Sequence, residues 1–115
     1  MAYLALIVED VIINKWEITE DITILGRTRD CDIQIDDQSV SSKHARIVAE
    51  DDPYLDGNKI LFIEDLKSTN GTKLNGSPVV KEKLSDGDML TIGFTEFQLI
   101  NNSDNNLDET AVILS

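Results

Sequence analysis

Hydrophobic positions along the chain come in short clusters rather than long periodic stretches. Aliphatic and β-branched residues dominate positions 3–8, 12–18, 22–25, 32–35, 45–49, 60–64, 89–92 and 96–100, each the length of one strand. Asp32-Ile33-Gln34-Ile35 and Phe97-Gln98-Leu99 alternate strictly between polar and apolar, the pattern of a half-buried antiparallel strand. Gly57, Gly71, Gly76 and Gly87 each follow Asn or Asp, a dipeptide that supplies the positive-φ positions of tight turns. No longer window repeats its apolar residues at the helical spacing. The pattern predicts an all-β domain, a sandwich or a barrel.

Past Ile100 the pattern stops. Residues 101–108 are mostly Asn, Asp and Ser, and a short apolar patch, Ala111-Val112-Ile113-Leu114, follows Asp108-Glu109-Thr110. This divides the chain into a folded domain over residues 1–100 and a flexible acidic and polar tail or linker over 101–115.

Composition narrows the function classes. A chain of 115 residues with 41% hydrophobic and 28% charged positions is one globular domain, too apolar to be disordered. Ten basic residues against 22 acidic ones give a net charge of −12, the wrong sign for general nucleic-acid binding or for docking to anionic lipid. The lone cysteine, Cys31, excludes an internal disulfide and a multi-cysteine metal cluster. The apolar runs fall far short of the ~20 residues that span a bilayer, and the N-terminus lacks the basic start of a signal peptide. A cytoplasmic domain without metal or cofactor is expected.

The acidity is unevenly spread. Residues 26–46 balance Arg27, Arg29, Lys43 and Arg46 against Asp30, Asp32, Asp36 and Asp37, whereas residues 66–81 hold Lys67, Lys73 and Lys81 with no acid. The other three lysines face 18 acids, which leaves −15 on the remainder. If the two less acidic segments meet in space, an anion is drawn there and repelled elsewhere.

Both segments are also rich in small polar residues. The first reads Gly26-Arg27 and then Ser39-Val40-Ser41-Ser42-Lys43-His44-Ala45. The second reads Asp65-Leu66-Lys67-Ser68-Thr69-Asn70-Gly71-Thr72, with Asn75-Gly76 after it. In this order and spacing the pieces resemble the forkhead-associated (FHA) domain, whose pattern is a Gly-Arg closing an early strand, a Ser-x-x-His block and a Ser-x-Asn-Gly loop. The likeness runs from Thr23 to Ile100.

The resemblance implies a β-sandwich of about 11 strands with recognition loops at one end, binding threonine-phosphorylated peptides in signalling. Arg27 would grip the phosphate through its guanidinium, Ser41 would donate its hydroxyl, and Ser42 and Thr69 would add contacts. Asn70 would hold the peptide backbone. Gly26 and Gly71 would be places where no side chain fits, and His44 and Asp65 would brace the loops. Lys43 and Lys67 would add to the local field at the rim. Many relatives carry Arg or Asn at the position of Ser42 and some a basic residue at that of Ser39; serines at both argue against a strong preference for acidic residues after the phosphothreonine. The implied partners are a threonine-phosphorylated protein or peptide and a Ser/Thr kinase, with no nucleic acid and no membrane.

Two other readings stay open on sequence. An FHA-like domain can serve as a phosphate-independent assembly surface. A hydrolase could pair Ser41 as nucleophile with His44 as base and Asp65 as orienter. In the tail, Thr110 is a possible phosphorylation site, and its phosphorylated form a ligand for this same domain in cis or in a neighbouring copy.

Overall fold

The structure, a computed structural model, describes residues 1–101. Eleven strands run in chain order: β1 Ala2–Val8, β2 Val11–Glu17, β3 Ile22–Gly26, β4 Ile33–Gln34, β5 Ala45–Asp51, β6 Lys59–Asp65, β7 Thr72–Leu74, β8 Ser77–Pro78, β9 Lys81–Leu84, β10 Met89–Ile92 and β11 Thr95–Asn101. No helix occurs among the described residues. One sheet has the order β2-β1-β11-β10-β7-β8 and the other β4-β3-β5-β6-β9.

The two sheets form a sandwich because each strand sends alternate apolar residues to one side. Ala45 and Ile47 of β5, Leu61 and Ile63 of β6, and Phe97 and Leu99 of β11 are buried, while the residues between them are less so. With Leu4, Leu25, Ile33, Leu84, Leu90 and Ile92 they form one core. Trp16 packs at its margin, half-buried, with its ring tilted against Phe97 at 6.1 Å.

Eight strands coincide with the clusters read from sequence, and β7, β8 and β9 do not. Those three are short, and Lys73, Lys81, Glu82 and Lys83 interrupt any apolar alternation in them. The alternation at residues 32–35 pointed to an antiparallel strand. In the structure β4 instead pairs parallel to β3, Leu25 opposite Ile33 and Gly26 opposite Gln34. Alternation reports which face is buried and carries no information on strand direction, so this correction concerns pairing alone.

The registers put several connections at the same end of the sandwich. Leu25 faces Ala45 and Ala45 faces Asp65, so β3 ends, β5 begins and β6 ends side by side. Thr72 faces Ile92, which brings the start of β7 and the β10–β11 turn to that end. The chain leaves β11 at the opposite end, where Asn101 lies beside Ala2. The four Asn-Gly and Asp-Gly glycines all have positive φ, from +76° to +87°, as the dipeptides predict.

Phe97 is fully buried between the sheets. Phe97→Ala is expected to cost about 3–5 kcal/mol, read as a lowered midpoint in urea unfolding with little change in the slope.

Candidate functional site

Two loops meet at the shared end: residues 35–44, between β4 and β5, and residues 66–71, between β6 and β7. Three of the four buried polar residues, Ser39, His44 and Thr72, belong to their junction. Buried polar groups need partners, and here the partners are the two loops themselves.

His44 is fully buried and joins them. The Ser41 amide donates to His44 Nδ1 at 3.0 Å, and His44 Nε2 lies 2.8 Å from the Gly71 carbonyl oxygen. An amide can only donate and a carbonyl can only accept, so the ring is the neutral tautomer with its proton on Nε2. The His44 backbone continues the link, its amide donating to Leu25 O and its carbonyl accepting from Leu66. His44 Nε2 also lies 4.0 Å from Asp65 Oδ1, but its proton is committed to Gly71, so this is a polar contact rather than an ion pair.

Asp65 shapes the second loop. Its carboxylate accepts from the Ser68 hydroxyl at 2.6 Å, the Ser68 amide at 3.1 Å and the Thr72 hydroxyl at 2.7 Å, while Ser68 Oγ accepts from the Gly71 amide at 2.9 Å. Partial burial works to raise the Asp65 carboxyl. The hydrogen bonds from Ser68 and Thr72 outweigh it and hold the group below its ordinary value of 3.8.

Cross-links complete the junction. Thr69 N–H donates to Ser41 Oγ at 3.0 Å, and Asn70 Nδ2 donates to the Ser39 carbonyl at 2.8 Å. Ser39 itself is buried, with its hydroxyl oxygen accepting from Phe94 N–H at 3.0 Å and its amide donating to Asp37 at 2.8 Å. It therefore braces the loop, a role that the sequence reading did not assign to it.

Gly26 behaves as expected: a Cβ there would stand 2.2 Å from the Ser42 carbonyl oxygen and 2.8 Å from Cys31 Sγ. Arg27 N–H and Thr28 N–H donate across the same approach to Ser41 O and Ser42 O. Gly71 needs correction. Nothing lies within 4 Å of its Cβ position, so space is not its constraint; its φ of +85° is.

Arg27, Ser39, Ser41, Thr69 and Asn70 line a shallow recess of about 140 Å³, together with Gln38 and Val40. Arg27 is exposed, and among the described residues its guanidinium has no ion pair or hydrogen bond. Two acids that follow it closely in sequence are otherwise engaged. Asp30 pairs with Lys43 at 3.3 Å, and Asp32 accepts from Ile24 N–H at 2.7 Å. Ser41 Oγ accepts from Thr69 N–H, which leaves its own proton free to donate into the recess. Ser42 and Lys67 are exposed, and Ser42 lies outside the recess lining. The Lys43–Asp30 pair is largely in solvent and contributes little. Thr110 lies outside the described residues.

The hydrolase arrangement fails on geometry. His44 meets the Ser41 amide rather than its hydroxyl, and both ring nitrogens are occupied. Sequence reasoning missed Ser68, Thr72 and the bracing role of Ser39. Asp65 followed three residues later by Ser68 is a turn signal that could have exposed the first, whereas Thr72 and Ser39 are fixed by contacts distant in sequence.

Comparison with known proteins agrees with this geometry. The family model described as "FHA domain" matches residues 23–93. The FHA domain-containing protein FhaA of Mycobacterium tuberculosis is 34% identical over 83 residues, covering 72% of this chain and 14% of that protein. The oxoglutarate dehydrogenase inhibitor of Corynebacterium jeikeium is 32% identical over 90 residues, covering 78% of this chain and 58% of that protein. The chain thus spans less than two-thirds of either relative. A solved structure from a study of phosphothreonine-dependent FHA domain interactions superposes with a TM-score of 0.74 at 31% identity, covering 88% of this chain and 96% of the other.

His44→Ala is expected to lower stability by about 2–4 kcal/mol, because it leaves a cavity and two unpaired backbone groups, measurable by thermal melting. Asp65 has a depressed folded value, so its contribution is present above the ordinary carboxylate value and is lost as pH falls through the lowered one. Asp65→Asn is therefore expected to be less stable than the parent at neutral pH. The difference should shrink as pH drops below about 4, read from melting temperatures across a pH series.

Proposed function

The chain belongs to the FHA domain family, and on that premise we propose that it is a phosphothreonine-peptide binding module. It joins a threonine-phosphorylated protein to a signalling pathway that contains a Ser/Thr kinase. The observation that carries this reading is an exposed, unpaired Arg27 guanidinium beside a Ser41 hydroxyl whose proton is free. A phosphothreonine offers ~1.5–2 negative charges and several acceptor oxygens, which a guanidinium and hydroxyls meet with charge-assisted hydrogen bonds. Thr69 is the second hydroxyl donor.

Asn70 has a divided role in this proposal. One of its amide protons holds Ser39, and its carbonyl oxygen remains to accept from a peptide backbone. Ser42 acts more through its carbonyl, which accepts from Thr28 and Cys31 and sets the loop beside Arg27, than through its hydroxyl. Gly26, His44, Asp65 and Gly71 support the loops. The domain occupies residues 1–100 and acts without catalysis or cofactor in the cytoplasm. No helix of the described residues is long and apolar enough to cross a membrane.

The test is a fluorescence-anisotropy titration with matched phosphothreonine, phosphoserine and plain threonine peptides from an oriented library. Phosphothreonine is expected to bind tightest, because its methyl group adds contact that phosphoserine lacks, and plain threonine should not bind. Equal affinity for the unphosphorylated peptide would instead identify a phosphate-independent assembly surface. Arg27→Ala should lose more than about tenfold in affinity, since charged hydrogen bonds contribute ~1.5–3 kcal/mol each. Its melting temperature should be unchanged, because the side chain is exposed. Phosphothreonine installed at position 110 should compete with the external peptide if the tail is a ligand of the domain.

A further inference from the structure

Strand β2 is the outermost strand of one sheet and β4 of the other, and a cleft of about 360 Å³ opens between them on one side of the sandwich. Its floor is apolar. Phe97 and Ile35 are buried there, Leu6 and Trp16 are half-buried, and Val8 stands 48% exposed at the mouth. Val11, Ile12 and Ile13, all exposed, continue the apolar surface along β2.

The charge at this cleft has one sign. Asp36 and Asp37 line it, and among the described residues no base does. Asp37 is committed, accepting from Ser39 N–H and the Thr95 hydroxyl. Asp36 is exposed, and among the described residues its carboxylate has no ion pair or hydrogen bond. Glu9 and Asp10 form the exposed turn that joins Val8 to Val11. The one cation of β2, Lys15, holds its ammonium over the Tyr3 ring.

The backbone of β2 is open as well. Ile18 N–H donates to Ala2 O, and alternate residues of an antiparallel strand bond to the same side, so Lys15 and Glu17 turn their backbone groups to the free edge. The Lys15 amide meets the side chain of its neighbour Asn14 at 2.8 Å. Sheets usually guard such an edge with charge or proline, because an apolar one recruits another strand.

We propose that this side of the sandwich docks an extended segment of a partner protein, added to β2 as a further strand, whose cleft-side positions read apolar, apolar and then Lys or Arg. Its apolar side chains cover Trp16 and Val8, and its cation meets Asp36. Charge complementarity selects the occupant: a second copy of this chain, with its net charge of −12, brings the wrong sign. The site is separate from the phosphate recess and does not rest on the phosphothreonine reading.

Trp16 is the only tryptophan of the chain, so its emission reports the cleft directly. The probe is a seven-residue peptide with arginine at both ends, leucine at the third and fifth positions and serine elsewhere. It should shift the emission to the blue, and bind at least about tenfold tighter than the same peptide with glutamate for arginine. An isomer with the two leucines adjacent, on opposite faces of a strand, should lose a similar factor. Asp36→Lys should reverse the charge preference, and Arg27→Ala should bind the arginine peptide no more weakly than the parent. The Lys15 and Glu17 amides should exchange more slowly with peptide bound. No blue shift at millimolar peptide, equal binding of the glutamate peptide or the isomer, a preference that Asp36→Lys leaves unchanged, or unaltered exchange at Lys15 and Glu17 would overturn the proposal. So would a dimer by light scattering whose Trp16 emission depends on protein concentration, which would assign the cleft to a second copy.

Discussion

The buried imidazole of His44 ties together two loops that Thr69, Asn70 and Leu66 also cross-link. One nitrogen accepts from the Ser41 amide and the other donates to the Gly71 carbonyl, across 27 positions of sequence in the second case. The ring is fixed in one tautomer by partners that cannot exchange roles. The other bonds at the recess work with that link. With Ser41 held, its hydroxyl oxygen can receive Thr69 N–H, and with Gly71 held, the loop built on Asp65 keeps Asn70 against the Ser39 carbonyl. The site is therefore organised before any ligand arrives, which spares binding the cost of ordering it.

Electrostatics then decides what such a recess attracts. Most of the surface is strongly acidic, yet the two loops lack that acidity, and the fold brings them together. Asp30, Asp32, Asp37 and Asp65, four acids near the recess in sequence, are occupied by Lys43, Ile24 N–H, Ser39 N–H and the Ser68 and Thr72 hydroxyls. Among the residues that line the recess, Arg27 is left as an uncompensated cation. An anion approaching the domain is repelled over most directions and drawn to one end.

Much of this was legible in the sequence, and the limits have physical causes. Strands with apolar alternation announced themselves, and the Asn-Gly and Asp-Gly turns were found because their backbone conformation is local. Strands β7 to β9 were hidden because they are short and charged, and the parallel pairing of β4 because periodicity is blind to direction. At the recess, Arg27, Ser41, Thr69 and Asn70, singled out through a motif, are brought together by the fold. The bracing role of Ser39 was missed, since its bond to Phe94 N–H spans 55 positions and no local pattern encodes it. Gly71 was assigned correctly as a glycine position but for the wrong reason: its backbone angle, not crowding, excludes a side chain.

The central claim is that a preformed junction, centred on His44, presents Arg27 and Ser41 to a phosphate. Amide and imidazole NMR of the labelled protein, titrated with a phosphothreonine peptide, tests it most directly. The account predicts that the His44 Nε2 proton is slow to exchange and visible before and after ligand, while large shifts are confined to Arg27, Ser41, Ser42, Thr69 and Asn70. An imidazole signal that appears only on binding, or shifts centred on another face of the sandwich, would contradict it.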